Sequence, residues 1–140
     1  MPLRIVQFHA IILTALALIP GGAHLFELPN KIGLAQTEYF TVQSIYRGWA
    51  LFGIVLIAAL IVNLLLAYML RGQRTSALLA FAATVGIALT LVIFFTWTQP
   101  ANLATAFWTQ VPENWRSLRG AWEYSHAVNA GMTFLALCAT

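Results

Sequence analysis

Two short spacings in this chain carry residues that can do chemistry. The first is His24-Leu25-Phe26-Glu27 and the second is Glu123-Tyr124-Ser125-His126. Each pairs an imidazole with a carboxylate at i, i+3, which puts both groups on one face of a helix. If the two helices run antiparallel, His24 lies level with His126 and Glu27 level with Glu123. Four metal-type ligands would then converge in two rungs. Glu-x-x-His pairs on facing helices build carboxylate-bridged metal sites in bundles. A set of His24, Glu27, Glu123 and His126 would suit iron, manganese or zinc better than copper(I). The same residues also support metal-free acid–base chemistry, with His126 or His24 as proton carrier beside a glutamate. A third use is an ion network in which Arg119 and Arg47 pair with Glu123 and Glu27. Such a network contributes little net stability but is costly to break.

Around these pairs runs a polar and aromatic stripe. Trp115, Arg119, Trp122, His126, Asn129 and Thr133 step by four and three, staying within about 80° of arc on a helix. Glu123 falls about 60° to one side of His126. Tyr46 and Arg47 open another hydrophobic segment, and Thr96, Trp97 and Gln99 close a third. The expected site has His126, Glu123, Arg119 and Arg47 as catalytic groups. Trp115, Trp122, Tyr46, Trp97 and Asn129 would wall a substrate pocket.

The elements that must hold these residues are membrane helices. The chain has 140 residues, 61% hydrophobic and 8% charged. A soluble domain has about 25% charged residues, so a cytosolic globular enzyme and a disordered chain are both excluded. The single cysteine, Cys138, excludes a disulfide framework and a Cys-based zinc site. Four segments approach the roughly 20 apolar residues needed to cross a bilayer: about 5–28, 48–70, 75–97 and 115–140. The expected fold is all-α, an integral membrane antiparallel four-helix bundle formed by one domain spanning 1–140. Pro29–Arg47 and Thr98–Asn114 read as loops, with Pro100 and Pro112 as breakers. The fourth span either dips into the bilayer with a polar first half or continues past Thr140. Gly21-Gly22-Ala23 offers an alternative, a signal peptide cleaved after Ala23.

Lys and Arg counts, three against four, do not decide an orientation, but their placement points to one. Arg4, Arg71 and Arg74 lie at the N-terminal side without an acid. The opposite side mixes Lys31, Arg47, Arg116 and Arg119 with all four glutamates. The short Arg71-Gly72-Gln73-Arg74 turn places the N-terminal side in the cytoplasm. All five tryptophans fall at the other end, so the polar and aromatic site is expected in the outer half. Of the isolated polar residues, His9 reads as interfacial and Asn63 as the maker of one interhelical hydrogen bond. Scattered arginines form no basic tract, so nucleic acid is not an expected partner. The expected partners are lipid and a small apolar molecule, and self-association through the helices is open.

The C-terminal residues Pro100-Ala101-Asn102-Leu103, Pro112-Glu113-Asn114-Trp115, Arg119, Trp122-Glu123 and His126 resemble the signature of the anthrone oxygenase-like family. These are small four-helix bacterial and fungal membrane proteins, most bacterial members being a domain of unknown function. Gly21 to His24, followed by Pro29, fits the end of their first helix. The resemblance covers most of the chain, and its specific part is the last forty residues. It implies Pro100, Asn102, Trp115, Arg119, Trp122 and His126 as matching positions, a bacterial inner membrane, and oxidation of a polycyclic phenol to a quinone without a bound metal. Asn129 stands where members commonly carry an arginine. The expected function is thus oxidoreductase or oxygenase-like, acting on an apolar or aromatic substrate. The rival is a non-catalytic binding or accessory protein. A cofactor, if any, would be iron, manganese or zinc.

Overall fold

A computed structural model describes residues 2–140. Every regular element among them is helical. Helix α1 spans Pro2–Lys31, α2 Gln36–Gln43, α3 Phe52–Met69, α4 Arg74–Ile93, α5 Gln99–Ala104 and α6 Trp115–Ala139. Three segments are long and apolar enough to cross a membrane: Pro2–Lys31, Trp49–Met69 and Arg74–Ala104. Helix α6 matches the expected fourth segment in extent, but Arg116, Arg119 and Glu123 lower its hydropathy. Of the four long helices, α1 packs on α3 and α6, and α4 packs on the same two.

The helices outrun their sequence-based limits in informative ways. Helix α1 continues through Pro20 and Pro29 to Lys31. Proline is tolerated in membrane helices where neighbours satisfy the freed carbonyls. This extension turns Lys31 from an expected loop charge into a helix residue facing inward. Pro100 does not break the chain either. Helix α4 passes through a π turn at Phe94–Thr98 directly into α5, whose first turn holds Pro100. The expected Pro29–Arg47 loop contains α2, whose start is capped by the Glu38 carboxylate accepting the Ala35 N–H at 3.1 Å.

Small residues set the α1–α6 distance. A Cβ on Gly21 would sit 3.3 Å from the Ala130 Cα. This close approach is the usual role of glycine between membrane helices. The register then runs antiparallel, with His24 beside His126, Lys31 beside Glu123 and Leu34 beside Arg119. Midway along α1, the Asn63 amide donates to Thr14 Oγ1 at 2.9 Å, and the Thr140 hydroxyl donates to Asn63 Oδ1 at 2.9 Å. Asn63 therefore ties three helices, one more than the single bond expected. Outward-facing positions are strongly apolar, including Ile19, Phe26, Ile54, Ile61, Phe95 and Leu135.

Candidate functional site: a buried lysine between two carboxylates

The site grows from the end where α1, α2 and α6 meet. Glu123, on the inward face of α6, is fully buried. Its Oε1 lies 3.1 Å from the Lys31 ammonium and accepts the Tyr39 hydroxyl at 2.8 Å. Its Oε2 is buried without a hydrogen-bond partner. Tyr39 belongs to α2 and in turn accepts from the Gln43 amide at 2.6 Å. That i, i+4 pair is why an eight-residue helix with a polar exterior docks here: its two buried residues are both used in the network.

Lys31 joins two carboxylates. Its ammonium donates to the Tyr46 hydroxyl at 2.9 Å, and Tyr46 donates to Glu27 Oε2. The direct Lys31–Glu27 separation is 3.8 Å, so the tyrosine is the bonded link. Aromatic faces complete the enclosure, with the ammonium 4.3 Å from the Tyr46 ring centroid and 4.7 Å from that of Trp122. Desolvated cation–π contacts offset part of the cost of burying an ammonium. Two phenols stay protonated. Burial pushes the Tyr39 hydroxyl well above its ordinary range, and the neighbouring Glu123 carboxylate adds to this. Burial also raises Tyr46, reinforced by its bond to the Glu27 carboxylate.

Beside this network lie the two histidines. Their ring centroids are 4.2 Å apart. Trp122 packs edge-on against both, at 4.8 Å from His24 and 4.3 Å from His126. Nδ1 of His24 is buried without a hydrogen bond and stands 3.8 Å from Glu27 Oε2. Trp122 is itself fixed by Asn102, whose amide oxygen accepts the indole N–H of Trp122 at 2.9 Å and of Trp108 at 3.1 Å. Trp108 is presented by three consecutive left-handed residues, Ala106, Phe107 and Trp108, at φ 46°, 56° and 63°. The Thr105 hydroxyl braces them by accepting the Trp108 N–H at 3.0 Å. Such a turn costs roughly 1–2 kcal/mol per residue, which the packing of Trp108 on Tyr39 and Trp122 offsets.

Several expected placements change. His24, Glu27, Glu123 and His126 do come to one place, but not as a metal-ligand set. Among the described residues no three His, Cys, Asp or Glu side chains are grouped to hold a metal ion. The Lys31 ammonium, 3.1 Å from Glu123 and 3.8 Å from Glu27, already occupies the place between the carboxylates where a cation would bind, so the donor set does not fit the expected iron, manganese or zinc ion. Arg47 is exposed in a turn outside the network, and Arg119 does not pair with Glu123. Arg119 instead donates to the Leu34 carbonyl at 2.8 Å and stacks over Trp115 at 4.8 Å. The expected Arg–Glu pairing is thus replaced by Lys31. Trp97, on the π turn, is 50% exposed and is not among the residues of the buried aromatic cluster. Trp115, Trp122 and Tyr46 do wall the site. Asn129 lies on the same helix with a buried, unpartnered Oδ1. His9 is exposed and bonds back to the Ile5 carbonyl at 2.8 Å.

A groove of about 440 Å³ opens next to the cluster, lined by Gln36, Thr37, Phe40, Thr41, Trp108, Thr109 and Val111. It shares Trp108 with the wall around Glu123. A second concavity of about 570 Å³, lined by Arg4, Ile5, Phe8 and His9, lies at the other end of α1, roughly 35 Å from Lys31 by helical rise.

Compared with known proteins, the chain matches no family model, no curated protein and no solved structure.

Proposed function

We propose that this chain is an integral membrane four-helix bundle, antiparallel and with its N-terminus in the cytoplasm, that oxidises a small apolar aromatic molecule at the Glu123 centre. The membrane part rests on three apolar helices, the apolar exterior and the arginines of the Arg71–Arg74 turn. One observation carries the chemical part. Glu123 is fully buried, held through one oxygen by Lys31 and Tyr39, and its other oxygen has no partner. A buried polar atom left unpaired is costly, and ionisable groups inside a membrane mark function by default.

The chemistry that fits is base-assisted oxidation by molecular oxygen. Glu123 Oε2 takes a proton from an activated methylene beside an aromatic ketone or phenol. The electron pair moves onto the ring oxygen, where the Lys31 ammonium stabilises the negative charge. Oxygen bonds to the carbanion carbon, and the resulting hydroperoxide loses water. In balance, one methylene group and one oxygen molecule become one carbonyl group and one water. The carbon is oxidised, and dioxygen is the oxidant reduced. His24 and His126 pack edge-on against Trp122 and wall this centre. The groove that shares Trp108 with this cluster falls within the roughly 300–1,000 Å³ of ordinary ligand pockets.

The test is oxygen uptake by the purified protein in lipid nanodiscs with anthrone as probe. Wild type consumes oxygen in proportion to carbonyl product, and Glu123→Gln loses on the order of a hundredfold or more in rate. Equal uptake by Glu123→Gln and wild type overturns the proposal. The observation favouring the rival, non-catalytic function is the mutual packing of Trp122, His24, His126 and Tyr46. That reading expects no uptake and a loss of fold when the network is broken.

A further inference from the structure

Glu123 has no contact with solvent, so a proton placed on it needs a path out. One bonded chain leads from it to the surface. Lys31 stands 3.1 Å from Glu123 Oε1 and donates to Tyr46 at 2.9 Å, Tyr46 donates to Glu27, and the Glu27 side chain is 37% exposed. We propose that Lys31, Tyr46 and Glu27 form a proton relay that connects Glu123 to the outer surface. The proposal deepens the acid–base function given above and rests on it for its purpose, but the relay would serve any proton chemistry at Glu123.

The donors already point outward. The Lys31 ammonium passes a proton to the Tyr46 oxygen as Tyr46 passes its own proton to Glu27. Lys31 is left as a neutral amine and Glu27 as a carboxylic acid. The Glu123 acid then gives its proton to the Lys31 amine, and Glu27 releases its proton to water. The sum is one proton moved from Glu123 to solvent, with Lys31, Tyr46 and Glu27 restored. The phenol of Tyr46 need not ionise, because it receives and gives a proton together. Other routes are not bonded. His24 Nδ1 is 3.8 Å from Glu27 and Lys31 is 3.8 Å from Glu27, both beyond hydrogen-bond distance. Tyr39 also touches Glu123, but it leads inward to Gln43, whose Oε1 is buried and unpartnered. Tyr39 is therefore a holder of Glu123 and not a conductor.

That contrast supplies the experiment, which uses no substrate. Protonation of Glu123 is followed by time-resolved infrared spectroscopy after an acid jump, in the full chain in nanodiscs. The carboxyl band is assigned by its loss in Glu123→Gln. Tyr46→Phe slows its appearance on the order of a hundredfold, the low end of what a positioned proton donor contributes. Tyr39→Phe slows it less than Tyr46→Phe does, although it removes a bond to the same carboxylate. If Tyr46→Phe does not fold, Glu27→Gln at the exposed end carries the test and is expected to slow protonation as well. Three results overturn the relay: wild-type rates in the outward variants, equal slowing by Tyr39→Phe, or no Glu123 carboxyl band in wild type at any pH. A silent oxygen-uptake assay with an intact relay would instead remove the oxidation chemistry alone.

Discussion

Lys31 decides the character of the site. A buried ammonium between two carboxylates is balanced only while its partners remain. Lys31→Met leaves Glu123 as an unpaired buried acid and is expected to destabilise the fold by about 3–5 kcal/mol. Adding Glu123→Gln should recover much of that loss, because the uncompensated charge is gone. Chemical denaturation of both variants in detergent measures the difference. A second consequence concerns alkaline pH. Tyr39 and Tyr46 have folded-state values raised above the ordinary phenol value of about 10. Their stabilising contribution is complete below that pH and is lost as pH rises above it, when the unfolded chain ionises first. The melting temperature should therefore fall above about pH 10, and Tyr39→Phe should flatten the fall. At this scale much is legible in the sequence. Both His–Glu pairs, Arg119 and the tryptophans are visible as types and spacings. Lys31 is not, because Pro29 makes it look like a loop residue, whereas α1 runs through Pro29 to Lys31. Nothing in the local sequence marks Asn102 as the shared acceptor of the Trp108 and Trp122 indoles.

Helix α1 meets α6 through Gly21 and Ala130, one turn from His24 and His126 on the respective helices. A Cβ at Gly21 would press on backbone, which cannot move aside. Gly21→Ala should cost about 1–3 kcal/mol and separate the histidine rings. Gly22, where an added Cβ meets nothing within 4 Å, is the control. Gly22→Ala should stabilise by about 0.5–1 kcal/mol through helix propensity alone. Thermal unfolding of the two variants, with the tryptophan fluorescence read beside it, tests the pairing of packing and site. The long helices are legible because the hydrophobic length of a span is a strong signal. Helix α2 is hidden, since eight residues with a polar exterior look like a loop. Its inward face consists of Tyr39 and Gln43 alone, too little to make a periodic pattern. The π turn at Phe94–Thr98 is equally hidden. Trp97 lies on it, half exposed and outside the indole cluster.

Across the whole molecule the polar groups are divided by depth. One end holds Lys31, Glu27, Glu123 and the indole cluster. The middle holds the Asn63 node, and the other end is an apolar core of Ala10, Leu66, Ala67, Leu70 and Ala80. Composition alone makes this polarity visible, because every tryptophan and every glutamate lies toward one side. What composition cannot supply is the pairing, which depends on α2 folding over the end and on α1 running past its expected limit to Lys31. The most direct test of the central claim is isotopic. The protein in nanodiscs is given anthrone under oxygen-18 gas, and the product is examined by mass spectrometry. Wild type should place one oxygen-18 atom in the new carbonyl of the product, and Glu123→Gln should give no labelled product above background. Unlabelled product, or equal labelling by the Glu123→Gln variant, would contradict that claim.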